Sequence, residues 1–350
     1  MSNYNFEAFE QARRNYQVSD LPFLSKARNG IQAEQPYRGL TILHNTPLTL
    51  ATAFKIELLA LGGAEVVTSC IEIVPPEQRA IELLQAARIP VQLEKQYAST
   101  FDFHLDCCAE LIYLPPPRLG AVELTQTGSE RYRTQALDYP LVSVDDSQLK
   151  VIETFFGTGN GFIRAIQELV GTAFHNQPII VIGNGKVGRG IIHALSPYTS
   201  NITVIDCKPP QDSALGFINA ADKHAVKAAI KQAYAVVTAT GVQGLMSDYY
   251  QLEKADCGDA LLINMGADDE FGRQFSNSDV VFDKRPFNFS LTEPTLFRYL
   301  DPIFFAHNHG INVILDKQAK AGYNPFPTTL AENIVREWQS IYQEPIHLAL

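Results

Sequence analysis

The strongest constraint on the fold is an apolar run that ends in spaced glycines. Pro178-Ile179-Ile180-Val181-Ile182 leads into Gly183-Asn184-Gly185-Lys186-Val187-Gly188, a G-x-G-x-x-G pattern. Helix-compatible residues follow from Val187 to Leu195, and a second apolar run, Ile202-Thr203-Val204-Ile205, ends at Asp206. Strand, glycine turn, helix, strand and acid form one βαβ unit of the dinucleotide-binding kind. Gly183 allows the tight turn, Gly185 lets the backbone approach a pyrophosphate, and Gly188 lets the helix pack close to the strand. The helix start offers free N–H groups and a positive dipole end to phosphate. Asp206 lies about 20 residues past the turn, where a carboxylate can bind both hydroxyls of an adenosine ribose. The acid favours NAD over NADP, so NAD is the expected cofactor.

The chain has 350 residues, enough for two domains. A net charge of −10 without any lysine/arginine-rich run argues against a nucleic-acid partner. No apolar stretch reaches membrane-spanning length, and Met1-Ser2-Asn3-Tyr4 lacks the basic-then-apolar pattern of a secretory signal. Cys70, Cys107, Cys108, Cys207 and Cys257 contain no CxxC pair, which fits a reducing cytosol and no structural zinc. The expectation is a cytoplasmic protein with a small-molecule substrate, no metal, no nucleic acid and no membrane.

Strand and helix patterns alternate on both sides of the glycine turn, which predicts an α/β fold of two domains. Residues 1–36 read as one or two polar helices with an apolar patch of Phe6, Phe9, Tyr16, Leu21 and Leu24. Leu40–His44 reads as a buried strand, with Thr46 and Pro47 opening the next helix as cap and first-turn proline. Gly62-Gly63 ends that helix before a strand at Ala64–Cys70. A helix over Pro75–Ala87, a short strand at Val91–Leu93 and a strand ending at Leu105-Asp106 come next. The segment Gly157-Thr158-Gly159-Asn160-Gly161 reads as a hinge before a helix from Phe162 to about Phe174. Beyond Asp206, strands are expected at Ala235–Gly241, Ala260–Gly266, Val280–Phe282 and Ile311–Ile314. Thr329-Leu330-Ala331-Glu332 reads as a capping box that opens a last helix, outside the nucleotide unit.

Several residues could carry chemistry, each beside a plainer reading. His44 ends a buried strand just before a helix, where open α/β sheets place ligands; it could equally be a core histidine bonded to backbone. Thr46 has its role as a cap. Cys107-Cys108 after Asp106 read as inert buried thiols rather than nucleophiles. Glu123 to Gly128 reads as a polar surface turn, and a lone Lys150 as solvated. Thr240-Gly241 and Asn264-Met265-Gly266 end strands of the nucleotide sheet, facing a cofactor or simply turning the chain. His307-Asn308-His309 offers two histidines without a third ligand, a weak metal signal and a candidate replacement acid or base.

These segments together resemble the adenosylhomocysteinase family. The family's Leu-His-Met-Thr and Ala-Leu-Gly-Ala-Glu-Val correspond to Leu43-His44-Asn45-Thr46 and Ala60-Leu61-Gly62-Gly63-Ala64-Glu65-Val66. Its Val-Ala-Gly-Tyr-Gly-x-Val-Gly-Lys-Gly corresponds to Val181–Gly190, its Val-Thr-Thr-Thr-Gly to Val237–Gly241, and its Asn-Ile-Gly-His to Asn264–Ala267. The resemblance implies a substrate domain of residues 1–153 and 318–350 and a Rossmann-type NAD domain of residues 154–317. It implies NAD contacts at Thr125, Thr127, Gly183, Gly185, Val187, Gly188, Asp206, Thr240 and Asn264. It also implies His44 as acid–base, Lys150 beside the oxidised hydroxyl, and substrate contacts at Thr46 and Cys107. In that family NAD oxidises a ribose hydroxyl, homocysteine is eliminated, water adds, and the ketone is reduced again.

Departures from the family pattern fall on the nucleoside side. Cys107 stands where the family has a catalytic aspartate, Leu124 where it has a ribose-binding glutamate, and Leu48 where a glutamate reads the adenine edge. Ala267 replaces the histidine after Asn-Ile-Gly, and Glu153 is the nearest match, one residue out of register, for the aspartate after the lysine. The family's C-terminal Lys…Tyr tail has no counterpart in Glu344–Leu350, which leaves a homodimer as a compatible assembly in place of a tetramer. A site stripped of its hydrogen-bond partners discriminates poorly for its old ligand. The expected function is therefore NAD-dependent redox chemistry on a substrate other than adenosylhomocysteine. The family's own hydrolysis, and an NAD-binding pseudoenzyme acting through protein contacts, are the rivals.

Overall fold

The computed structural model describes residues 4–14, 20–97, 99–344 and 346. Tyr16 and most of the tail after Glu344 lie outside the described residues. The chain divides into two compact units, one of residues up to Lys150 together with those from Phe297 to Glu344, the other of Val151–Leu296 with Ile346.

The first unit is a six-stranded parallel sheet. Helices α1 (Glu7–Arg13) and α2 (Pro22–Glu34) precede β1 (Thr41–Asn45), α3 (Leu50–Leu61), β2 (Glu65–Ser69) and α4 (Gln78–Ala86). Then come β3 (Phe103–Asp106), β4 (Gly120–Glu123), α5 (Gln126–Arg133) and β5 (Pro140–Ser143). Strand order is β2-β1-β3-β4-β5, closed at the far edge by β11 (Gly322–Pro325), with every pairing parallel. This is a doubly wound order whose direction reverses between β1 and β3, so their carboxyl ends flank the crevice where such sheets take ligands. Helix α3 is buried on nearly every face, as befits a helix enclosed by sheet and neighbouring helices.

The second unit holds α6 (Thr158–Val170), β6 (Ile179–Ile182), α7 (Lys186–Leu195), β7 (Ile202–Asp206) and β8 (Gly216–Asn219). It continues through α8 (Lys223–Ile230), β9 (Ala235–Thr238) and β10 (Leu261–Asn264). Strand order is β10-β9-β6-β7-β8, all parallel, and the reversal falls between β6 and β9. The α/β reading, with a Rossmann-type unit around the glycine turn, holds.

Local expectations fail where sequence cues are ambiguous. Ile311–Ile314 is not a strand but the end of α9 (Phe297–Leu315), a 19-residue helix that packs on β3, β4 and β5 of the first unit. A short apolar run does not distinguish a strand from a buried helix. The second segment of the first unit thus begins at Phe297 rather than at 318. Thr46 does not cap α3: Thr49 does, its hydroxyl accepting the Thr52 N–H while Thr52 answers with its own hydroxyl. The last helix, α10 (Thr328–Tyr342), starts after Pro327 without a side-chain cap, so the Thr329–Glu332 box is not used. Val91 and Val281 each form a single bridge rather than a strand. The glycines of 157–161 lie in helical turns, Ile152–Gly157 as a π-turn and the rest in α6. They serve close packing: a Cβ on Gly159 would stand 2.4 Å from the Gly190 carbonyl.

Candidate functional site

In the second unit the glycine turn has three distinct duties. Gly183 has φ +105°, a left-handed conformation, and a Cβ there would meet the Ala239 carbonyl oxygen at 2.4 Å. A Cβ on Gly188 would lie 1.9 Å from the Gly183 carbonyl oxygen, so this glycine holds α7 against the turn. Gly185 faces open space with nothing within 4 Å, the position at which backbone can approach a phosphate. Among the described residues no side chain caps α7, whose N-terminus carries the positive dipole end. Val187 is half-buried in its first turn. Asp206 ends β7 beside the turn and accepts the N–H groups of Asn184 at 2.7 Å and Lys208 at 3.1 Å.

The ends of β9 and β10 are held by two buried polar groups. Asn264 donates to the carbonyls of Gly266, Asp268 and Lys284 and accepts from Thr238 and the Gly266 N–H. Its amide is committed to shaping the loops, so it positions rather than reaches. Glu270, fully buried, accepts from the N–H and hydroxyl of Thr240 and from the Gly241 N–H. Burial raises its carboxyl above the usual range, against the pull of those hydrogen bonds. Sequence reasoning missed Glu270 because it follows Asp268 and Asp269 in what looks like a solvated acidic run. The glycine cradle, its open face and the adjacent acid fit a dinucleotide, and NAD is the cofactor of this unit.

In the first unit the carboxyl ends of β1, β3 and β4 gather a buried polar cluster. His44, Lys55, Asp106, Glu123 and His307 have no exposed surface, and Thr46, Cys107 and Lys150 almost none. Lys55, from α3, sets its Nζ 2.6 Å from His44 Nε2. His307, from α9, donates from Nε2 to the Val122 carbonyl at 3.0 Å. Its Nδ1 and the Thr46 hydroxyl lack a hydrogen-bond partner among the described residues. Lys150 closes the 3-10 turn Gln148–Lys150 and acts electrostatically on both Cys107 and His307. The polar-turn and solvated-lysine readings therefore give way.

Electrostatics in this cluster are governed by burial. Loss of solvent pulls the His44 imidazole well below its ordinary range, and the like charges of Lys55 and His307 pull the same way. The Lys55 amine is likewise pulled well down by burial. The Cys107 thiol is pushed well up by its Cys108 neighbour, Sγ to Sγ 3.9 Å, and by burial, so it is a thiol and not a thiolate. Asp106 and Glu123 are register partners on β3 and β4, raised by burial to about 6 and about 8. Asp106 accepts from Asn45, the Cys107 and Leu111 N–H groups and the Tyr132 hydroxyl. Glu123 accepts from the N–H groups of Cys108, Ala109 and Thr125 and from the Thr125 hydroxyl. These acids clamp the Cys107–Ala109 turn, in which Cys108 and Ala109 take positive φ.

Thr125 caps α5, its hydroxyl also meeting the Cys108 N–H, while Thr127 lies half-buried on that helix. Leu48 and Leu124 are buried apolar residues. His307 and His309 share one helix, where positions two apart do not face each other. His309 turns instead to stack on Phe305 at 5.6 Å. Lys55 went unread, although a lysine and a glutamate in an otherwise apolar helix are the signal that could have found it.

A family model described as "Putative NAD(P)-binding" matches residues 171–273. S-inosyl-L-homocysteine hydrolase of Methanopyrus kandleri is 26% identical over 54% of this chain and 51% of its own. The adenosylhomocysteinase of Thermoplasma acidophilum is 24% identical over 65% of this chain and 62% of its own. The chain thus spans between half and two thirds of these relatives. Among solved structures, a dipicolinate synthase polypeptide from Bacillus halodurans overlies 88% of this chain and 99% of its own, at 10% identity and a TM-score of 0.40. The chain is adenosylhomocysteinase-like and divergent. Among the described residues no helix is long and apolar enough to cross a membrane.

Proposed function

We propose that this chain is an NAD-dependent enzyme of the adenosylhomocysteinase kind, acting in the cytoplasm on a small molecule other than adenosylhomocysteine. One observation carries the reading: Lys55 and Lys150 act on buried Cys107, and Lys55 links them to the buried His44 and His307, while Leu48 and Leu124 are buried where the resemblance expects acids. The acid–base half of such a site persists and the nucleoside-reading half does not.

NAD, when bound, supplies reversible oxidation of an alcohol carbon. Gly183, Gly185 and Gly188 would take its pyrophosphate and Asp206 its adenosine ribose. Glu270 and Asn264 would fix the loops that carry Thr240 and Gly266. His44 would hold or accept the proton at the atom that leaves or adds. Lys150 would stabilise charge on an alkoxide oxygen, a role favoured where water is excluded. Thr46 and Cys107 would border the substrate. Under this reading a homodimer is the assembly to look for.

A second reading has its own support. Leu48 at the adenine-reading position removes the residue type that would demand an amino group, and one relative is named for an inosyl substrate. S-inosylhomocysteine is therefore tested beside S-adenosylhomocysteine. Purified protein, denatured and examined by mass spectrometry, should release NAD; protein devoid of NAD that also fails to bind it would sink the proposal. Thiol release from S-adenosylhomocysteine should be negligible, and brisk turnover would restore the family reaction. Release from the inosyl compound alone would name the substrate. His44→Ala and Lys150→Ala should retain NAD and stop turnover; unchanged rates would favour a binding role through protein contacts.

A further inference from the structure

The contact between Lys55 and His44 is not part of the resemblance, and its hydrogen-bond logic can be followed atom by atom. Thr68 Oγ1 lies 3.4 Å from the carbonyls of both His44 and Ser69, which can only accept from it, and 3.5 Å from His44 Nδ1. A hydroxyl has one proton, and with that proton on one of the two carbonyls Thr68 Oγ1 accepts from Nδ1–H. His44 is then the Nδ1–H tautomer and Nε2 carries the lone pair. Lys55 Nζ, 2.6 Å away, must be the donor. The lysine backbone is itself fixed, its carbonyl accepting from Asn308 Nδ2 at 3.0 Å. Among the described residues no carboxylate pairs with Lys55. The ionisable groups that act on the two residues are His307 from α9, on both His44 and Lys55, and Cys107 after β3, on Lys55.

We propose that Lys55 is a positioning residue for acid–base chemistry, fixing His44 as one tautomer and sharing with it a single exchangeable proton. The pair, rather than the imidazole, is the unit that gains or loses charge. In its protonated form the proton sits on Nζ and is donated to Nε2; in its neutral form Nζ still donates one of its two hydrogens. A second proton would place two positive charges side by side in a site without solvent, so His44 does not charge while Lys55 holds the first. The catalytic meaning of the dyad rests on the function proposed above. Its existence does not.

The test uses the full chain with ring-15N histidine and long-range proton–nitrogen spectra from about pH 5 to about pH 9, a range that brackets ordinary histidine titration. The His44 resonances are assigned by their loss in His44→Gln. His44 should remain a neutral Nδ1–H imidazole throughout. In Lys55→Met the tautomer preference should fall and the ring should titrate about 1–3 units higher, the usual reach of a neighbouring charge. An Nε2–H tautomer in the native protein, or a His44 titration near its ordinary value, would overturn the proposal; so would a folded Lys55→Met protein with unchanged spectra. If that variant does not fold, the native spectrum decides alone. Protein that shows the dyad but binds no NAD would defeat the function proposed above and leave this inference standing.

Discussion

Asp206 and Asn184, 22 residues apart in sequence, are joined by a 2.7 Å hydrogen bond from the Asn184 N–H to the Asp206 carboxylate. The acid that ends β7 thereby braces the turn that follows β6. One carboxylate shapes the loop after β6 and, under the proposed function, would also take the adenosine ribose.

Asp206→Ala should therefore weaken NAD binding by about 10- to 100-fold, the equivalent of about 1.5–3 kcal/mol for lost hydrogen bonds to a charged group. Isothermal titration of NAD into apo protein measures this. Unaltered affinity would mean that the ribose is held elsewhere.

Gly185 and Gly188 should behave as opposites. Gly188→Ala drives a methyl group into the Gly183 carbonyl, whereas Gly185→Ala enters open space. The first should lower the melting temperature and abolish NAD retention. The second should melt as the native protein does yet lose affinity, because the methyl group occupies the pyrophosphate's approach. Thermal melts with and without NAD separate the two.

Asn264→Ala should cost at least about 2 kcal/mol, because several buried backbone groups lose their partner at once. Urea unfolding measures the loss. Since Asn264 shapes loops, NAD affinity should fall as well, although the amide is already occupied within the protein.

Asp301, buried on α9, accepts the Phe23 N–H at 2.7 Å and the Leu24 N–H at 3.0 Å, capping α2 from afar. Burial raises its carboxyl to about 7. A folded-state value above the unfolded one means that the folded protein binds the proton more tightly. The stabilisation is complete below the unfolded value near 4 and is lost as pH rises through about 7. Asp301→Asn lacks this dependence, so its stability relative to the native protein should increase between those limits. Paired urea curves across the range check the sign, and a variant-minus-native stability that falls with rising pH would contradict it.

Much of the nucleotide-binding unit was legible because its signals are local. A tight turn, a close helix contact and an open backbone each require glycine, and the spacing of Gly183, Gly185 and Gly188 encodes all three. The acid at Asp206 follows at the distance that one helix and one strand impose. The polar cluster of the first unit was less legible. His44 could be suspected from its place at a strand end, but Lys55 sits one helix away and shows its meaning only when α3 folds over β1. Glu123 looked like part of a surface turn until the pairing of β3 and β4 buried it beside Asp106.

The sequence by itself determined the alternation of strand and helix, the cofactor turn and the likeness to adenosylhomocysteinases, since all three depend on neighbours within a few tens of residues. Tertiary structure decided that Ile311–Ile314 is helix, that α9 belongs with the first unit, and that His307 rather than His309 turns inward. It also decided which charges lose solvent. Burial fixes whether Lys55 and His44 carry a proton, and burial is a property of what packs around a residue, which no local pattern states.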